Sequence, residues 1–378
     1  MDTDSTLYEW IRIDAKIVTD MPDADLGIAS IESKNHGNVL WIKLDRDAHR
    51  IGFALNPKLL EKYPNGITQD QAVEEAIESM KPFKLEVQRL DWWTHYKIRQ
   101  SVARSLQKDA YILLGGDAAH LHSSGFAQGM NTGIHDATNL AWKLGGVVKG
   151  WYKPSVLETY ASERRGAAKQ LIQIDMDAAA LISGDIPKKF QGLGRTADQV
   201  LSQFWKDTID FNLGLGISYS PSVLNQSPLS SMHACGVRCP DTLVRAPGIN
   251  MPRRFYDTLL EDGATGRWSV VIFAGNPALT QARYAELREP AAKLAGRHKG
   301  MLRLVTLLFG SAGGAWAALN GAAVGRFYFD SDGQAHSAFG IDQSSGALVV
   351  IRPDHILGFA AGLDDMDKIA GYFDEFVT

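Results

Sequence analysis

The segment from Asp109 to Gly150 constrains this chain more than any other. Tyr111-Ile-Leu-Leu-Gly-Gly-Asp117 is a short apolar run ending in two glycines and an acid. Such a run reads as a buried strand with a functional loop at its carboxyl end. A loop of small residues, Ser123–Gly129, follows. Beyond it Ile134, Ala137, Leu140, Ala141, Leu144, Val147 and Val148 recur at mostly three- and four-residue spacing. That spacing predicts an amphipathic helix to Gly145 or a little beyond.

Glycine at the end of a strand lets another molecule approach the backbone closely. A carboxylate there, Asp117, can accept bonds from ribose hydroxyls. Gln128-Gly-Met-Asn131 stands where the helix begins, with free N–H groups and the positive dipole end. Gly116, Asp117, Gln128, Gly129, Met130 and Asn131 are therefore the candidate cofactor-binding residues. On spacing alone the alternative stands equally open: Asp117 caps the helix and the glycines make the turn. His120 and His122, with His135 further on, lack a third metal ligand at defined spacing, and no metal site is expected. Cys235 and Cys239 form neither a CxxC pair nor half of a zinc site, and imply a reducing compartment.

The 378 residues accommodate two or three domains. With 45% hydrophobic and 22% charged residues, disorder and fibrous folds are excluded. A net charge of −4 supplies no basic field for nucleic acid or acidic membranes. The acidic start lacks a secretory profile, and a cytoplasmic location is expected. Leu304–Gly325 is uncharged over a membrane-like length, but its glycines favour a strand, a turn and a small-residue helix through Gly314–Ala323.

The first hundred residues read as a sheet with helical insertions. Val39–Leu44 and Arg50–Leu55 resemble a hairpin, Thr68-Gln-Asp-Gln71 is a capping box, and Lys84–Leu90 is a strand before Trp92, Trp93 and Tyr96. Pro154–Ile182 reads as a long helix with a charged face at Glu163-Arg-Arg165. Residues 183–235 form a Gly-, Ser- and Pro-rich linker with one helix, capped at Thr196. From 236 onward, strands at Trp268–Phe273, Leu302–Phe309, Arg326–Asp330 and Ala347–Ile351 alternate with helices at Pro277–Glu286 and Met366–Val377, an α/β pattern.

Leu113-Leu-Gly-Gly-Asp-Ala-Ala-His120, Gln128–Ile134 and Asp136–Leu144 together resemble the second flavin-binding motif of the flavoprotein aromatic hydroxylases, in the phenol hydroxylase branch. Leu90–Tyr96, Leu157–Arg165, Gly236–Asp241 and Val350-Ile-Arg-Pro-Asp354 resemble further family segments, so the likeness covers nearly the whole chain. The resemblance implies an α/β (α+β) fold: the remainder of an FAD-dependent hydroxylase domain with its substrate-binding sheet over 1–182, the linker, and a thioredoxin-like dimerisation domain over 236–378. It also implies FAD beside Asp117 and Gly129–Asn131, NAD(P)H as transient hydride donor, a phenolic or polyketide-type aromatic substrate, and a homodimer through the C-terminal domain.

Departures from the family pattern are specific. The GxGxxG unit with which family members begin is matched by none of Gly192-Leu-Gly194, Gly214-Leu-Gly216 or Gly310–Gly314, and the resemblance places it before Met1. Ser124 replaces a proline, Ala127 a glycine and Ser101 an arginine; Leu44 and Gly52 stand where phenol hydroxylase has an arginine and a tyrosine. The last change is expected to enlarge the pocket. Two other readings stay open: a flavin-free cyclase, isomerase or hydrolase using His120, His122, Asp117 and Tyr96 as acid–base groups, and a non-catalytic dimerising partner. Without the family's N-terminal strands, Tyr111–Leu114 is expected to expose an edge and an apolar face.

Overall fold

Along Glu9–Thr19 the odd-numbered residues Ile11, Ile13, Ala15 and Ile17 are buried, the period of a strand with one face on a core. This strand belongs to a five-stranded antiparallel sheet in the order Ile28–Ser33, Gly37–Lys43, Ala48–Ala54, Glu9–Thr19, Leu85–Lys97. Its core face packs Trp41, Ile51 and Phe53 with Ala72 and Ala76 of the helix Gln69–Ser79. The expected hairpin is present, pairing Leu40 with Gly52 and Lys43 with His49. The Thr68 box is made in both directions: Thr68 N donates to Gln71 Oε1 (2.9 Å) and Gln71 N to Thr68 Oγ1 (3.4 Å). The last strand runs 13 residues and takes in Trp92, Trp93 and Tyr96.

The structure, a computed structural model, describes residues 2–4, 8–109, 111–192, 194–226, 229, 232, 235–248, 250–261, 266–319 and 322–378. The chain forms two units. The first comprises Met1–Arg104, Leu114–Gly133 and Ala168–Leu213; the second comprises Ser105–Leu113, Ile134–Ala167 and Gly214–Thr378.

The second unit holds a seven-stranded mixed sheet in the order Pro252–Arg254, Leu243–Arg245, Arg326–Asp330, Leu302–Phe309, Trp268–Phe273, Ala347–Ile351, Leu357–Ala361. Trp268–Phe273, Leu302–Phe309 and Arg326–Asp330 run parallel, and the remaining pairings are antiparallel. The helix expected over Pro277–Glu286 continues to Arg297, straight through Pro290. An interior proline costs about 3 kcal/mol. Burial of Leu287, Ala291 and Leu294 on both sides of it compensates. Leu304–Gly325 is the expected strand followed by a helix at Ala312–Leu319; Asn320 and Gly321 lie outside the described residues. Among the described residues no helix is long and apolar enough to cross a membrane. Cys235 and Cys239 are both free, and burial pushes each thiol up to about 12, so neither is a thiolate near neutrality.

Three expectations need correction. Tyr111–Leu114 is not a buried strand: only Ile112–Leu113 pairs, with Gln107–Lys108, while Tyr111 is 90% and Ile112 55% exposed. An apolar run of four residues is too short to bury itself without flanking strands, and none joins this pair among the described residues.

The Glu163-Arg-Arg165 region of the Glu158–Ile182 helix is not a solvated face. Glu163 and Arg164 are buried. Arg164 Nε donates to Asp136 (2.6 Å) and Nη1 to the Tyr219 hydroxyl (3.0 Å). Glu163 accepts from Arg352 (2.6 and 3.0 Å), Lys143 (2.7 Å), Asn139 (2.8 Å) and Asn225 (3.0 Å), and Arg352 also reaches Asp354 (2.7 Å). The Val350–Asp354 signature thus contributes both its ionisable residues to one closed buried network.

Much of the apolar stripe predicted for the Gly129–Val148 helix faces outward, although Trp142 is buried in the core and Val147 packs against it. Asp136, Asn139 and Lys143 are buried, whereas Ile134, Ala137, Ala141, Leu144 and Val148 face outward. Charges placed on that outer face meet solvent, so Leu144→Lys and Val148→Lys are each expected to change unfolding free energy by less than about 0.5 kcal/mol. They should also lower binding of a hydrophobic dye, which titration of the folded variants checks.

Candidate functional site

Gly116, Asp117 and Ala118 form one tight helical turn, closed by Ala119 N donating to Gly116 O (2.8 Å). Gly116 sits at φ +58°, a left-handed conformation suited to glycine, and nothing lies within 4 Å of where a side chain would begin. Gly133 faces it: a Cβ there would be 3.8 Å from the Gly116 Cα. The Asp117 carboxylate is exposed and hydrogen-bonds no described residue, and the turn has no side-chain cap. Asp117 thus caps no helix among the described residues, while Gly116 does make the turn.

At the start of the Gly129–Val148 helix the first bond of the ladder is Thr132 N to Gln128 O (2.9 Å). The amides of Gly129, Met130 and Asn131 donate to no described residue, as the first turn of any helix dictates. Gln128 turns back, its Nε2 donating to Phe126 O (3.1 Å), and Met130 is 75% exposed. A glycine loop beside an unpaired carboxylate, and a helix end with three unpaired donors, can hold hydroxyls and a carbonyl or anionic oxygen respectively.

The loop between them is anchored by a residue that sequence reading missed. Asp175, buried on the Glu158–Ile182 helix, accepts from Ser123 N (2.7 Å), Ser123 Oγ (2.6 Å) and Gln100 Nε2 (2.7 Å). Gly125 then passes so close to Trp10 and Ile182 that a Cβ would meet both at 3.1 Å. Ala127, where the resemblance implies glycine, holds φ +52°. A left-handed alanine costs about 1–2 kcal/mol, partly offset by the freedom glycine adds to the unfolded chain. Ala127→Gly is expected to raise stability by about 0.5–1 kcal/mol in urea unfolding.

His120 is buried in a two-residue strand paired with Gln100–Val102, and His122 lies half-buried with its ring stacked 6.4 Å from it. His122 Nδ1 donates to Ser123 O (2.8 Å), leaving Nε2 as an acceptor in the neutral ring. That ring borders the helix start, 3.6 Å from a Cβ placed on Gly129. Among the described residues no three metal-ligating side chains converge.

The sheet face opposite the core carries Trp10, Arg12 and Tyr96. Tyr96 lies edge-on to Trp10 at 6.2 Å and shares a hydrogen bond with Ser124 Oγ, a hydroxyl that a proline would lack. Arg12, also unforeseen, is only 7% exposed. It donates to Ile11 O (3.2 Å) and Ser124 Oγ (3.4 Å) and lies 4.9 Å over the Trp10 ring. Burial draws its pKa below the usual arginine range. Gly52, directly across the ladder, does not enlarge a pocket: a Cβ there would lie 2.2 Å from Arg12 Nη1, so the guanidinium occupies that space. The expected enlargement is corrected accordingly. Ser101 is buried in its strand, and Arg99 is exposed.

Residues 4–175 match the FAD binding domain family, and residues 317–378 match the phenol hydroxylase C-terminal dimerisation domain. The 3-hydroxybenzoate 4-monooxygenase of Comamonas testosteroni is 29% identical over 99% of this chain and 65% of its own length. Phenol 2-monooxygenase fsqG of Aspergillus fumigatus is 29% identical over 82% of this chain and 55% of its own. The chain thus spans just under two thirds, or less, of these relatives. The crystal structure of aklavinone-11 hydroxylase with FAD and aklavinone superposes with a TM-score of 0.67 at 17% identity, over 98% of this chain and 62% of that one, which shows the shared fold. The chain carries an FAD binding domain match and a phenol hydroxylase dimerisation domain match, and its homologues are FAD-dependent aromatic monooxygenases.

Proposed function

We propose that this chain is the flavin- and substrate-facing portion of an FAD-dependent aromatic monooxygenase that hydroxylates a phenolic or polyketide-type metabolite. One observation carries the reading: Asp117 and the Gly129–Asn131 amides stand unpaired on either side of an anchored loop, and that loop also touches Tyr96. The residues fit a flavin nucleotide. Asp117 would accept from its sugar or ribityl hydroxyls, with the space at Gly116 allowing close approach. The three amides and the helix dipole would face the ring's carbonyl edge and favour negative charge there. When bound, FAD reduced by NAD(P)H supplies the oxygen-inserting chemistry. The protein's own task is to seat the aromatic substrate beside the flavin and exclude water from it.

A homodimer through the C-terminal domain belongs to the same proposal, supported by the dimerisation domain match at 317–378. Titration of the purified chain with FAD tests the flavin reading. Quenching of flavin fluorescence that weakens at least tenfold in Asp117→Ala is expected. A protein that stays colourless and leaves the flavin signal unchanged at high FAD concentration would overturn it.

A further inference from the structure

A cavity of about 440 Å³ lies at the C-terminal end of the Gly129–Val148 helix, within the ordinary size range of small-ligand pockets. Trp142, Gly145, Lys149 and Trp151 line it, together with Gly266 and Arg267, which lead into the strand Trp268–Phe273. All six belong to the second unit. The candidate flavin site stands at the first turn of that helix, so this cavity is no part of it.

Two observations point to an anion. Lys149 and Arg267 both line the cavity, and the side chain of neither forms an ion pair or a hydrogen bond with a described residue. The one contact of this kind is the Lys149 ammonium, 4.5 Å over the Trp151 ring. Two unanswered like charges on one cleft give it a positive potential. Neutralising the helix end does not account for them. Its last carbonyls, Gly145 O, Gly146 O and Val147 O, already accept from Lys149 N (3.1 Å), Trp151 N (2.8 Å) and Gly150 N (3.0 Å). The second observation is Trp142, 8% exposed, whose indole N–H has no acceptor among the described residues. A buried donor without an acceptor is costly, and the chain supplies no oxygen for this one. Two further cations near that ring, Arg352 at 5.4 Å and Lys143 at 5.6 Å, differ in being answered by Glu163 and Asp354.

We propose that this cavity binds a phosphate group, carried by a sugar phosphate or a diphosphate. Lys149 and Arg267 neutralise its charge, and the Trp142 N–H donates to one of its oxygens. Gly145 leaves the wall open, because a Cβ there would meet nothing within 4 Å. The site is independent of the flavin reading.

Calorimetric titration of the 378-residue chain with ribose 5-phosphate, pyrophosphate and ribose, at constant ionic strength, tests this. Saturable binding of the two phosphates and none of ribose is expected. The tighter of the two phosphates distinguishes an ester from a free diphosphate as the occupant. Arg267→Gln and Lys149→Gln should each weaken binding at least fivefold, and Trp142→Phe, which keeps a ring but removes the N–H, about threefold. Gly145→Asp, which sets a carboxylate on the open wall, should weaken it at least tenfold, whereas Gly145→Ala should stay within about twofold of wild type. Circular dichroism of each variant checks that it folds. No saturable binding of either phosphate, an equal response to ribose, or affinities unchanged in Arg267→Gln and Gly145→Asp would each overturn the proposal.

Discussion

Arg352→Ala is expected to destabilise the chain by about 3–5 kcal/mol, a large share of the stability of an ordinary domain. The reason is what the substitution leaves behind. Glu163, buried from water, would lose two of its bonds, and the partly buried Asp354 its arginine. Lys143 alone cannot neutralise both carboxylates. Glu163→Gln fails the opposite way, leaving Lys143 and Arg352 with only Asp354 between them. Urea unfolding followed by fluorescence measures both, and a loss below about 1 kcal/mol would contradict the closed network described above.

The network also gives acid sensitivity a definite sign. Burial alone would raise the Glu163 pKa, but the charges of Arg352 and Lys143 outweigh it and hold the carboxyl well below its ordinary range. A depressed folded value contributes stability above the unfolded pKa of about 4.3, and that contribution is lost as pH falls through the folded value. Between about pH 5 and pH 2 the wild-type chain should therefore lose stability more steeply than Glu163→Gln.

Asp175→Ala ranks second. Three buried donors, from Ser123 and Gln100, would lose their acceptor at once. Each unsatisfied buried donor costs about 1–3 kcal/mol, and partial relaxation brings the expected total to about 3–4 kcal/mol. Asp175→Asn keeps one acceptor oxygen and should lose roughly half as much. Because Ser123 anchors the loop between Asp117 and the Gly129 amides, hydrogen exchange of residues 121–128 should accelerate in both variants. Unchanged exchange there would show that the loop is held by something other than Asp175.

The parts of this fold legible in the sequence are those whose cause is local. Thr68 and Thr196 announce helices three residues ahead of their glutamines, and both boxes are closed in the structure. Trp268–Phe273 and Ala347–Ile351 are β-rich runs long enough to be strands in any context. The turn at Gly116 and the helix start at Gly129 were legible because backbone freedom and helix ends belong to single short segments. What was not legible depends on partners distant in the chain. Glu163 reads as a solvated charge until Arg352 is seen against it, 189 residues away. Arg12 alternates with apolar neighbours as any outward-facing strand residue does, and only the glycine across the ladder reveals that it is enclosed. Asp175 carries no local mark at all.

The outward-facing apolar stripe of the helix Gly129–Val148 has a consequence for how this protein tolerates change. In a randomised library, positions that look like core by hydropathy, such as Ile134, Leu144 and Val148, would accept lysine or glutamate in the folded chain. Asn139 and Lys143, which look like surface, would admit almost nothing else. The usual substitution rules would be inverted at these positions, though not at Trp142, which packs into the core as its hydropathy suggests.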